Sequence, residues 1–97
     1  MKLLTQANLK ALPAQGSTIG QGMDAVAQVK FFTPWTNWTW YATEYDPETR
    51  MFFGLVDGLE EELGYFSLDE LESISGPFGL KIERDRHFQR VTLKETR

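Results

Sequence analysis

The chain has no cysteine and a single histidine. Without cysteine there is no disulfide framework, no thiolate metal site and no thiol nucleophile, and one imidazole falls short of the multi-histidine sets that most metal centres use. No window approaches the roughly 20 apolar residues of a membrane-spanning helix. The opening MKLLTQANLK has no apolar run longer than Leu3-Leu4, too short for a signal-peptide core, so a soluble, cytoplasmic protein is expected. G-x-x-x-x-G-K, a nucleophile elbow and G-x-G-x-x-G are all missing, so no cofactor is expected. Bases are missing too between Asp57 and Glu72, a stretch holding seven carboxylates.

What is present is ordinary globular material. Ninety-seven residues, 41% hydrophobic and 25% charged, fit one domain over residues 1–97. The net charge of -4 is uneven, because residues 1–50 carry four bases and four acids, and six bases against three acids follow from Lys81 to Arg97. An acidic chain is a poor general binder of phosphate backbone, although Arg84, Arg86, Arg90 and Lys94 form a local basic segment.

Thr5 before QANLKAL reads as a helix N-cap, with Leu4 and Leu9 in staple register, and Pro13 limits the helix to about two turns. ALPAQGSTIGQGMDA is a long loop for so small a domain, which makes it mobile or functional. From Val26 the period becomes two, with Ala27, Val29 and Phe31 on one face. In TWYATEY, alternation sets Trp38, Trp40, Ala42 and Glu44 on one face and Thr39, Tyr41, Thr43 and Tyr45 on the other. DPETR is a hairpin loop, MFFGLVD an interior strand apolar on both faces, and LGYFS a further strand after an acidic turn. Ser67 and Glu70 form an S-x-x-E capping box, Phe66 and Leu71 a staple, and Gly76 stands where a helix C′ glycine would. Strands over Leu80 to Arg84 and Gln89 to Lys94 complete an α+β reading: an antiparallel meander of four to five strands with two short helices.

Four stretches go beyond a generic pattern: KFFTP, TWYATEYDP, FGLVDGLEEELG and, above all, SLDELESISGPFGLKIERDRHF. The last supplies Gly76, Pro77, Gly79, Leu80, Ile82, Glu83, Arg84, Asp85, His87 and Phe88 to a GPxGLxIERDxHF run. Over most of its length the chain resembles a bacterial family known as domain of unknown function 2958. The resemblance implies a small accessory protein of a mobile genetic element, carried on plasmids, integrated elements or integron gene cassettes, and implies no reaction. Trp35 and Trp38 are additions to that pattern.

Three candidate sites follow. On a continuous strand Glu83, Asp85 and His87 would share a face, offering two carboxylates and an imidazole to a cation or a proton transfer, with Glu44 or Asp57 adding an oxygen. Edge salt bridges around the same residues are the structural alternative. The acidic run, Asp57 with Glu60 to Glu62 and Asp69 to Glu72, could bind a cation or mimic phosphates, but helix capping and a solvated turn also explain it. The aromatic set Trp35, Trp38, Trp40, Tyr41 and Tyr45 falls on both faces of one strand, so part of it must cover a second surface. With no base between Thr33 and Thr49 to accompany those rings, a protein partner or a homo-oligomer suits them better than single-stranded nucleic acid. The leading expectation is therefore a non-enzymatic interaction module using the Trp-rich strand. A small enzyme or metal-dependent binder and a nucleic-acid-linked role are the alternatives.

Overall fold

A computed structural model describes residues 3–96. Thr5 caps α1 (Gln6–Ala11) through a reciprocal box with Asn8, and Leu12 follows the helix into the core. The chain then runs through the glycine-rich loop to β1 (Val26–Ala27) and β2 (Val29–Phe32). Next come β3 (Thr39–Asp46), β4 (Met51–Asp57) and β5 (Glu61–Ser67), which form the meander the alternation implied. Ser67 accepts from the Glu70 N–H to open α2 (Leu68–Ser73), and the short β6 (Glu83–Arg84), β7 (Val91–Thr92) and a 3-10 turn over Leu93–Thr96 follow. The five-stranded antiparallel sheet has the order β5-β4-β3-β2-β6, while β1 pairs with β7 in a separate two-stranded ribbon. The α+β class is as expected.

Both faces of the sheet are covered, unequally. One carries the main core, with Phe31, Phe52 and Phe66 in ring contact and Trp40, Tyr45, Leu68, Leu71 and Ile82 around them. The other carries a smaller core of Ala25, Ala27, Tyr41, Leu55 and Leu93, closed by the β1/β7 ribbon. The second surface required by the aromatic strand is this second core.

Three local expectations are corrected. The register of β3 against β4 slips between Ala42, opposite Gly54, and Glu44, opposite Phe53, so Thr43 is a bulge residue. One extra residue inverts the alternation beyond it, sending Tyr45 to the main core with Trp40 and Ala42, and Glu44 to the opposite face. Gly76 is not a left-handed helix terminator: α2 ends at Ser73, and Gly76 has φ -105°. Finally, β6 is two residues long and the chain turns away after Asp85, whose N–H still donates to the Lys30 carbonyl at 2.9 Å and whose carboxylate accepts the His87 N–H at 2.9 Å in a tight turn.

Candidate functional site

The turn after Asp85 takes His87 off the strand, so Glu83, Asp85 and His87 do not line one strand face. Asp85 pairs with Lys30 at 3.7 Å, while Glu83 and His87 are exposed. Among the described residues no group of three His, Asp or Glu could hold a metal ion. The basic segment disperses as well: Arg84 donates to the Leu3 carbonyl at 2.8 Å and Lys94 pairs with Asp24 at 3.1 Å. Asp69 and Glu72 of the acidic run each meet Arg50 at 2.7 Å, whereas Glu60 to Glu62 stay exposed at the β4–β5 hairpin tip. Asp57 stands opposite Glu61 at the base of that tip. Trp40, Tyr41 and Tyr45 are buried, and the partly buried Trp35 packs on the main core. Trp38 is 38% exposed; its ring meets that of Trp40 at 5.9 Å, tilted by 33°, and lies against Gly58.

A different group of residues converges where the bulge turns Glu44 outward from the main core. Glu44 is only 3% exposed, and the glycine-rich loop closes over it. One carboxylate oxygen accepts the Gly16 N–H at 2.6 Å; the other accepts the Thr18 N–H at 2.7 Å and the Thr18 hydroxyl. The Thr43 hydroxyl, donating to the Phe53 carbonyl, lies 3.3 Å from that of Thr18. Burial alone would raise the Glu44 pKa, but the Thr18 hydroxyl and the Gly16 and Thr18 N–H groups outweigh it and hold the carboxyl below its ordinary value. Glu44 is therefore ionised at neutral pH, and among the described residues no Lys, Arg or His pairs with it.

Beside this clamp lies a cavity of about 450 Å³. Its walls are Thr18, Ile19, Gly20 and Gly22 of the loop and Phe53, Leu63 and Tyr65 of β4 and β5, with Glu44 between them. Phe53 and Tyr65 face each other across the strands, edge to face, at 5.0 Å. On the opposite face, at the hairpin tip, a second cavity of about 470 Å³ is lined by Trp38, Val56, Leu59, Glu60 and Glu62. Both cavities border β5.

β5 is an edge strand of seven residues, without proline, lysine or a bulge. The Leu68 N–H donates to the Arg50 carbonyl at one end of the hairpin and the Gly58 N–H to the Glu60 carbonyl at the other. Along an antiparallel ladder this parity alternates, so even-numbered residues of β5 bond to β4, and Leu63 and Tyr65 direct their N–H and C=O groups away from the sheet. Their side chains are 41% and 58% exposed.

The sequence offered Glu44 only as an accessory ligand and marked the glycine-rich loop as mobile or functional without singling out Thr18 or Ile19; Phe53, Leu63 and Tyr65 were passed over. The available signals were a lone carboxylate inside an aromatic strand and a long glycine-rich loop with no other assigned use. No curated protein and no solved structure matches the chain. A family model matches residues 3–94, and the chain belongs to the family described as protein of unknown function (DUF2958).

Proposed function

We propose that this chain is a non-enzymatic protein-interaction module that receives an extended, basic segment of a partner along the free edge of β5. The observation that carries the reading is the placement of the two cavities on opposite faces of one edge strand that has no proline, lysine or bulge. An added strand alternates its side chains between faces, so main-chain bonds to Leu63 and Tyr65 supply affinity while the cavities select residues on each side. Trp38 keeps its part as a wall of the tip cavity; the other aromatic residues of its segment support the sheet. Basic character in the partner follows from Glu60, Glu62 and Glu44 beside the edge, where the described bases form no ion pair with them. A second copy of this chain would bring the same acids to the same edge. At the other side of the sheet, β6 is two residues long and gives way to the Asp85 turn, so it offers no comparable template. The mobile-element setting implied by the family resemblance makes the module an accessory protein acting through a partner.

Leu63→Pro tests the edge directly. The N–H it removes points outward, so the β4–β5 ladder keeps its bonds. Screening a display library of extended peptides should enrich basic strands that protect the Leu63 and Tyr65 amides from hydrogen exchange and that the folded Leu63→Pro variant no longer retains. Peptides that bind both proteins equally would rule the edge out.

A further inference from the structure

We infer that the cavity between the glycine-rich loop and β5 is a receptor for one cationic side chain, an arginine in the first place, carried by the partner strand. The inference rests on the edge-strand reading for the chain that delivers the cation, but the chemistry of the cavity stands on its own residues.

A carboxylate offers about four acceptor positions. Glu44 uses three: one on the oxygen that takes the Gly16 N–H, and two on the oxygen that takes the Thr18 N–H and hydroxyl. One position remains, on the first of these oxygens, in a residue that lines the cavity. All three donors are neutral dipoles, and no cation neutralises the charge among the described residues. An ionised carboxylate only 3% exposed attracts a counter-ion more strongly than one on the surface.

The walls fit the stem and plane of an arginine. Phe53 and Tyr65 supply aromatic surface, with the Tyr65 ring accessible, and guanidinium groups stack on such faces as well as pairing with carboxylates. Ile19, 81% exposed on the loop, and Leu63 on the strand supply apolar surface for methylenes. The direction of approach also fits: a residue pairing with Leu63 or Tyr65 projects onto the face that carries Phe53 and Glu44. An anion would meet the Glu44 charge, and a purely apolar side chain would leave the spare acceptor without a donor.

The test uses the intact chain and two small probes of nearly the same shape, Nα-acetyl-arginine amide and Nα-acetyl-citrulline amide, followed by amide chemical shifts. The arginine probe should give saturable shifts at Thr18, Ile19, Leu63 and Tyr65, and the uncharged citrulline probe should bind at least about tenfold more weakly, a difference of about 1.4 kcal/mol. Glu44→Gln should reduce arginine binding to the citrulline level. If that substitution unseats the loop, Tyr65→Leu decides, because it removes an aromatic wall without touching the clamp and should still weaken the arginine probe. Equal binding of the two probes, or arginine shifts confined to the acids of the hairpin tip, would overturn the inference, as would wild-type affinity in Tyr65→Leu. A display peptide N-methylated at the amides that would pair with Leu63 and Tyr65 separates the two readings: it should lose the edge, and if it binds unchanged while the arginine probe saturates the cavity, the edge reading fails and the receptor stands. Display peptides that bind equally well without Lys or Arg would refute the cation receptor and the basic character of the partner, leaving only the edge as a docking site.

Discussion

The indole of Trp35 lies directly on Gly76, so close that a Cβ on that glycine would stand 2.3 Å from the ring. Contact with the ring, and no requirement of backbone conformation, makes this position glycine. Gly76→Ala should displace Trp35 from the edge of the main core and cost about 1–3 kcal/mol in urea unfolding. In a Trp35→Ala background the same change should be nearly neutral. Equal costs in both backgrounds would show that the contact is not responsible.

Gly54 and Gly64 are paired across β4 and β5, yet only one of them is required to be glycine. A Cβ at Gly54 would lie 1.8 Å from the Tyr41 carbonyl oxygen, a backbone atom in the neighbouring strand that cannot give way. At Gly64 a Cβ meets nothing within 4 Å. Gly54→Ala should therefore cost at least about 3 kcal/mol, at or beyond the upper end of overpacking effects, while Gly64→Ala should change stability by less than about 0.5 kcal/mol. Thermal unfolding of the two variants side by side checks the asymmetry.

What was legible in the chain was local. The Thr5 and Ser67 caps, the DPETR turn and the Met51–Asp57 strand depend on neighbours a few residues away, and they stand where spacing and turn chemistry put them. The bulge at Thr43 was not legible, because a single extra residue leaves composition unchanged while inverting the faces of Glu44 and Tyr45. That inversion moved the candidate site from the Trp segment to the far face. The second core was equally hidden, since Val26 and Ala27 find their partners at Thr92 and Val91, at the other end of the chain. Non-local pairing of this kind has no signature in periodicity.

Pro77 to Leu80 form a tight turn, closed by the Leu80 N–H on the Pro77 carbonyl at 3.1 Å, in which Phe78 and Gly79 both have positive φ, 58° and 75°. Such turns favour Asn-Gly at the two central positions. Phe78 is 103% exposed, so its side chain gains no packing to offset a left-handed backbone. Phe78→Asn should raise stability by about 1 kcal/mol, read as a higher urea midpoint at unchanged slope. A loss of stability would mean that the phenylalanine makes contacts in the folded chain.

Glu44 ties the glycine-rich loop to the sheet, and the link depends on pH in a defined direction. Its carboxyl is held below the ordinary value of 4.5, so the folded state binds its proton less readily than the unfolded chain. The stabilisation is complete above that ordinary value and is lost as pH falls through the lower folded one. Glu44→Gln keeps the shape but presents an amide N–H to a site built of donors, leaving one or more of the Gly16 N–H, the Thr18 N–H and the Thr18 hydroxyl unsatisfied. The cost at pH 7 should be about 2–4 kcal/mol, with faster hydrogen exchange at Gly16 and Thr18. The gap between wild type and variant should then narrow as the solution is acidified below pH 4.5. A gap that stays constant between neutral and acid pH would mean that the charge of Glu44 contributes nothing and that shape alone seats the loop.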